Sequence, residues 1–408
     1  MTTSAMGTRK KVFLHVGAPL LGADAVQDAL WHASDRLARG GVGYPLHAPG
    51  DMFAATMDLR AMAWGGRRDP AWTGMWEKVA SRARGWTGDR VLLSHELLAG
   101  ATAEQAARAV DSFGDAEVHV VYTARDFARQ LPADWSEHIR HQHTVTFDRF
   151  VDDLVELGIE APEPFGPMFW GLHDPVRALR SWGSAVPTGN VHVVTAPHGP
   201  DGVPGLWRRF MALTGVRPEW CDLAALPEER PLGRAEAELV RLVNGRLRGA
   251  LGGAYERLVR RHVAGEVLRA RPDARPITVP QRHHAWLRDR SQELVTALAA
   301  AGYDLVGDPS DLLPDLPAEG AADEPDPTPD ELTDAALTVV EAVLRDLARV
   351  DERRQIGDLS VELAKVRDQL AELTALTPDR PSPLRRAALR MAREREREQR
   401  EREQRAGD

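Results

Sequence analysis

The first half of the chain alternates short apolar runs with longer stretches of helical periodicity. Lys11 to Val16 (KVFLHV), Arg90 to Ser94 (RVLLS), Glu117 to Thr123 (EVHVVYT) and Asn190 to Thr195 (NVHVVT) are rich in Val and Leu and bounded by Gly, Asp, Arg or Pro. Runs of that kind predict strands buried on both faces. Between them, Asp24 to Arg39 places Val26, Leu30 and Leu37 along one helical face, and Ala103 to Phe113 reads as a second helix. Strands alternating with helices imply βαβ crossovers and a parallel sheet covered on both sides, with ligands at the carboxyl ends of the strands. After Pro197 the strand signals stop, and Leu206 to Leu213, Arg234 to Arg248, Ala254 to Arg269 and Gln281 to Ala301 all carry helical periodicity. The predicted fold is therefore α/β, three-layered, with a helical second half.

Residues 315–331 (DLPAEGAADEPDPTPDE) hold seven acidic residues, four prolines and no Lys or Arg. Such a stretch cannot bury a core and predicts an extended linker closing a domain at residue 314. Over 332–377, Ala336, Val340, Val343, Leu347 and Val350 are spaced 4, 3, 4, 3, as are Leu359, Leu363, Val366, Leu370 and Leu373. Two heptad seams predict a coiled coil, interrupted around Arg353 to Gly357 where the phase shifts and a helix-weakening glycine sits. A helical hairpin, or a helix docked on the main domain, fits the same spacing. From 378 to 408 the chain is a charged tail ending in REREREQREREQR, a solvated run of alternating sign.

Of the 408 residues 43% are hydrophobic and 28% charged, which excludes disorder throughout. Lys+Arg 52 against Asp+Glu 61 gives a net charge of -9, unfavourable for nucleic acid or an anionic membrane unless a basic patch intervenes. Cys221 is the only cysteine, so no intrachain disulfide or multi-cysteine metal site can form, which fits a reducing compartment. No apolar run approaches the roughly 20 residues that span a bilayer, and MTTSAMGTRKK lacks the apolar core of a signal peptide. A cytoplasmic location is the expectation.

The most informative segment follows the first strand. Gly17 to Trp31 (GAPLLGADAVQDALW) reads as a Gly/Pro turn entering a helix, the generic anion cradle of unpaired first-turn N–H groups and a positive dipole end. Gly17 and Gly22 satisfy the GxxxxG half of a nucleotide-binding P-loop, but Ala23-Asp24 replaces the Lys-Ser/Thr pair. Without the lysine charge and the magnesium-binding hydroxyl, an ATPase or GTPase reading fails.

This opening resembles that of bacterial sulfotransferases. The resemblance continues through Val42-Gly-Tyr-Pro45, Leu93-Ser-His-Glu-Leu97, Val120-Val-Tyr-Thr-Ala-Arg-Asp126, Val191-His-Val-Val-Thr195 and Gly302-Tyr-Asp-Leu-Val-Gly307, spanning residues 10 to 314. Single motifs are weakly specific; their order and spacing carry the resemblance. It implies a P-loop NTPase-like sulfotransferase fold and, as cofactor, 3′-phosphoadenosine 5′-phosphosulfate (PAPS). In that family the turn carries Pro-Lys-Thr-Gly-Thr-Thr/Ser and binds the 5′-phosphosulfate. Here it falls on Pro19 to Asp24, and only Pro19 and Gly22 match.

The family lysine falls on Leu20, which cannot stabilise charge on the leaving phosphate, and losing one such donor typically slows a reaction about 10² to 10³-fold. The hydroxyl positions fall on Leu21, Ala23 and Asp24. Asp24, at or next to the helix N-cap, is expected to satisfy the N–H groups itself and repel a phosphosulfate. Arg125 matches the family arginine that binds the 3′-phosphate, a task suited to a planar, always charged donor. The serine expected eight positions later is Ala133. A strand-end arginine paired within the chain is the plainer account of Arg125.

His95 and Glu96 follow the Arg90 to Ser94 strand, where family members keep the base that takes the acceptor's proton; either has suitable chemistry, and a helix-capping or ion-paired role is the alternative. His138, His141 and His143 lack HExxH spacing and a partnered carboxylate set, so no metal is expected. Trp64, Trp72, Trp76 and Trp86 line an acceptor pocket or serve in core packing.

Three readings follow. The chain is a sulfotransferase-family protein with impaired catalysis, acting as a binding or assembly component that self-associates through 332–377. Alternatively it is an active PAPS-dependent enzyme with an unusual phosphate loop, transferring a sulfuryl group to a hydroxyl or amine of a small molecule or carbohydrate. In the third reading the fold holds a different ligand at its strand ends.

Overall fold

The computed structural model describes residues 9–221, 231–318 and 323–375, with residues 387, 390, 391 and 394 beyond them. The tail from residue 378 thus lies almost wholly outside the described residues. Six parallel strands, β1 Lys11–Gly17, β2 Val42–Gly43, β3 Arg90–Ser94, β4 Glu117–Ala124, β5 Val191–Thr195 and β6 Asp304–Val306, form one sheet in the order β2-β3-β1-β4-β5-β6. The α/β class with an all-parallel sheet follows from the four apolar runs, which become β1, β3, β4 and β5. Two short edge strands, β2 and β6, add to them, so strand structure does not end at Pro197.

The helices in chain order are α1 Ala23–His32, α2 Ser34–Arg39, α3 Asp51–Leu59, α4 Met75–Gly85, α5 Ala103–Asp111, α6 Phe127–Arg140, α7 Phe147–Leu157, α8 Phe165–Leu172 and α9 Pro175–Gly183. They continue as α10 Gly202–Thr214, α11 Arg234–Leu247, a π-helical segment Glu256–Leu268, α12 His284–Ala301 and α13 Pro329–Ala375. The single helix expected over Asp24 to Arg39 is broken at Ala33, whose N–H bonds back to Ala29. Short polar side chains start several helices. Thr102 and Gln105 close a capping box on α5, and Asp126, Thr146 and Asp174 cap α6, α7 and α9.

The core lies on both faces of β1 and β4, where Val12 to Gly17 and Val118 to Ala124 are buried without a break. That removes the alternation an open sheet would show and explains the continuous apolar spelling of these strands. The chain runs from β1 outward to the β2 edge, returns as β3 and crosses to β4 on the other side. The turns leaving β1 and β4 therefore flank the point where the strand order reverses, the usual ligand position in open α/β sheets.

The chain divides into two compact units, Met1–Val339 and Val340–Asp408. The acidic segment belongs to the first unit: Glu324 and Glu331 pair with Arg275, and Asp326 with Arg234 at 2.8 Å. In the second unit the described backbone is one helix through residue 375, with no interruption at residues 353–357. Val340, Leu347 and Val350, and then Leu359, Leu363 and Val366, are all at least half exposed. At 3.6 residues per turn the nine-residue step from Val350 to Leu359 turns the second stripe about 180° from the first. The phase shift seen in the sequence is thus a change of helix face. The side chains of Leu370 and Leu373 lie outside the described residues.

Candidate functional site

The turn after β1, the pair His95 and Glu96, and Arg125 follow the carboxyl ends of β1, β3 and β4. β1 ends at Gly17, where a Cβ would stand 2.8 Å from the Ala99 Cβ, so only glycine permits this approach. The turn then runs inward. The Ala18 N–H donates to the Thr123 carbonyl at 2.8 Å, Leu21 is fully buried, and the Leu21 carbonyl accepts from Trp207 Nε1 of α10 at 2.8 Å. Leu20, in the place of the family lysine, sits at φ 66.

Gly22, not Asp24, is the N-cap of α1: its φ of 76 makes the left-handed corner that glycine adopts without strain, and no side chain caps it. Asp24 is an exposed residue of the first helical turn, two positions past the cap. Pro19 is half-buried in the same turn.

Beneath the turn lies a polar group that the sequence reading passed over. His15, inside β1, is completely buried; its Nδ1 meets Ser94 Oγ at 2.8 Å and its Nε2 meets Thr123 Oγ1 at 3.1 Å. The Thr123 hydroxyl donates to the Gly17 carbonyl at 2.8 Å, so its oxygen accepts from Nε2–H, and Nδ1 accepts from Ser94. The network needs a neutral ring. Burial drives the His15 pKa down to about 4, with His95 adding to the effect and Glu96 and the Gly17 carbonyl opposing it.

His95 and Glu96 point different ways. His95 is buried, caps the short helical turn Glu96–Gly100 by accepting the Leu97 N–H on Nδ1 at 3.3 Å, and lies near Phe53. Burial lowers its pKa, and Arg60 lowers it further against the pull of Glu96. Glu96 is half-buried and its Oε2 accepts from Gln27 Nε2 of α1 at 2.9 Å. Of the pair, only Glu96 turns toward α1.

Arg125 stands at the end of β4, half-buried, its Nε donating to Gln130 Oε1 at 2.6 Å. From there a buried polar chain follows α6: Gln130 Nε2 meets His173 Nδ1 at 2.8 Å, His173 Nε2 meets Asp134 Oδ1 at 3.1 Å, and Asp134 Oδ2 lies 3.4 Å from His138 Nε2. Burial opposes ionisation of Asp134, yet His173 and His138 hold its pKa well below the usual carboxylate range. His138 thus has its carboxylate partner, while His141 turns to Glu137 at 3.1 Å and His143 packs on Phe165. Among the described residues no group of three potential ligands is placed to hold a metal ion.

The end of β5 is closed. Arg209 bonds the Thr195 carbonyl at 2.8 Å and Asp311 at 2.6 Å, and Arg129 bonds the carbonyls of Ala196, Pro197 and Asp311. The tryptophan-rich stretch is dispersed. Trp64 and Trp72 stand edge-on to Phe53, Trp76 packs on Phe113, and Trp86 covers Gly43.

A cavity of about 260 Å³ opens beside α1, past the ends of β1 and β2, lined by Asp24, Gln27, Asp28, Trp31, Tyr44 and Leu46 among others. A larger one, about 470 Å³, lies at the opposite, amino end of β1, where the Lys10 ammonium donates to the Ala83 and Arg84 carbonyls at the end of α4. These surroundings do not fit PAPS. The turn offers a leucine where the resemblance needs charge, the first two turns of α1 carry Asp24 and Asp28, no Lys or Arg among the described residues lines the cavity beside them, and Arg125 is tied to Gln130.

The chain matches no family model, no curated protein and no solved structure. Among the described residues no helix is long and apolar enough to cross a membrane.

Proposed function

We propose that the chain is a sulfotransferase-like protein whose donor-nucleotide site is closed, and that it acts as a binding and assembly component. The observation that carries this reading is the sign of the cavity at the strand ends. Among the described residues it is lined by Asp24 and Asp28 and by no cationic side chain, so it repels a polyanion where the resemblance would put the phosphosulfate. Calorimetric titration of the full chain with adenosine 3′,5′-bisphosphate tests it, with no saturable heat expected at up to about 1 mM nucleotide. A Leu20→Lys, Asp24→Thr double variant is expected to gain at least tenfold in affinity, about 1.4 kcal/mol. Unchanged affinity in the variant refutes charge and donor loss as the reason for closure.

The active-enzyme reading draws on Arg125 at the carboxyl end of β4. Micromolar nucleotide binding that disappears in Arg125→Ala would put that reading first.

Assembly is assigned to α13. Apolar stripes at heptad spacing, exposed along a helix of 47 residues, call for partner helices, and two stripes about half a turn apart cannot be covered by one straight partner. Truncation after Val339 is therefore expected to lower the light-scattering mass to that of a single shortened chain. A mass that stays in proportion to chain length assigns the stripes no role in association.

A further inference from the structure

We infer that the cavity beside α1 binds a small organic ammonium ion, held by Asp28, Gln27 and Tyr44 over the face of Trp31. The inference rests on the closed-donor reading, because a cation site there excludes a phosphosulfate. Its first support is a hydroxyl without a partner. Tyr44 is 7% exposed and lines the cavity, and among the described residues its oxygen takes part in no hydrogen bond.

The second support is the chemistry of the lining. Glu96, as a carboxylate, only accepts, so the Gln27 group facing it at 2.9 Å is the NH2. The Gln27 carbonyl oxygen is left as an acceptor on the residue that lines the cavity. Asp28 adds a carboxylate, and neither Asp28 nor Glu96 has a cationic partner among the described residues. The site is thus rich in acceptors and negative in field, and the charges of Asp28 and Glu96 add to burial in raising the Tyr44 pKa.

An ammonium group brings three donors, no acceptor and the opposite charge, whereas a sugar brings hydroxyls of both kinds and an anion is repelled. Trp31, half-buried, supplies an aromatic wall of the kind that attracts cations, and Leu46 an apolar contact for the carbon body. The volume lies below the roughly 300–1,000 Å³ of drug-sized sites, which limits the ligand to a small amine.

The test is a ligand-observed NMR titration of the full chain with cyclohexylammonium, its neutral counterpart cyclohexanol, and glucose. Cyclohexylammonium is expected to saturate at about 1 mM or tighter and to bind at least tenfold better than either neutral compound. Asp28→Asn should weaken it about tenfold and Tyr44→Phe several-fold, while Asp35→Asn, an exposed carboxylate on α2, leaves it unchanged. Asp28 is exposed, so its variant retains the fold. Equal binding of cyclohexanol, tighter binding of glucose, indifference to Asp28→Asn, or no binding of the ammonium each overturns the inference. The last leaves the closed-donor reading standing if adenosine 3′,5′-bisphosphate also fails to bind; micromolar nucleotide binding removes both.

Discussion

Replacing Trp207 by alanine is expected to destabilise the chain by about 3–5 kcal/mol, the range for truncating a buried aromatic in a packed core. Trp207 is 2% exposed and stands edge-on to both His15 (5.5 Å) and Phe210 (5.0 Å). Its indole N–H also holds the Leu21 carbonyl, so one side chain fills the core beneath β1 and fixes the turn above it. Urea unfolding separates the two contributions. Trp207→Phe keeps most of the packing but removes the donor from a buried carbonyl, and is expected to cost about 1–2 kcal/mol. Should the alanine variant lose less than about 1.5 kcal/mol, the turn is held by other contacts and its inward course is not an obstacle to an incoming anion.

That tether illustrates what the sequence could not show. β1, β3, β4 and β5 were legible because strands buried on both faces are spelled as unbroken Val/Leu runs, and their observed bounds differ from the expected ones by a residue at most. β2 and β6 escaped because two and three residues are too few to establish a period, and edge positions need no apolar run. The Leu21–Trp207 contact joins residues 186 apart, and no local pattern encodes it.

In the site, the residues of the turn were legible and their directions were not. His95 and Glu96 are neighbours in sequence, yet one caps a helical turn and the other faces α1. Arg125 was legible as a strand-end cation, but its partner Gln130 is set by the first turn of α6. His15 did leave a signal: a histidine inside an otherwise apolar run needs polar neighbours, and the register supplies Ser94 directly across on β3. Tyr44 and Trp31 left none, because what makes them notable is a cavity between segments that are not adjacent in the chain.

Lowering the pH from 6.5 to 5 is expected to remove about 1–2 kcal/mol of stability through His15 alone. The sign follows from where the proton can bind. In the folded chain burial holds the ring neutral down to about pH 4, whereas the unfolded chain takes a proton near the ordinary 6.5. Between those values the unfolded state binds more protons, so stability is complete well above pH 6.5 and falls on acidification with a slope that approaches about 1.4 kcal/mol per pH unit. Buried His95 adds a loss of the same sign, so the parent's total slope exceeds one proton. The carboxylates of Asp134 and Glu137, held low by the side chains bonded to them, enter only nearer pH 4, since their stabilisation is lost below the ordinary carboxylate range.

His15→Gln isolates the one proton: its amide can donate to Thr123 and accept from Ser94 but does not titrate. Urea unfolding at pH 6.5 and pH 5 should therefore show the variant losing about 1–2 kcal/mol less than the parent. Equal losses would mean that the His15 ring takes its proton in the folded state. The hydroxyl network would then have to reverse, Nδ1–H donating to Ser94, and the left-handed corner that follows would rest on a charged group.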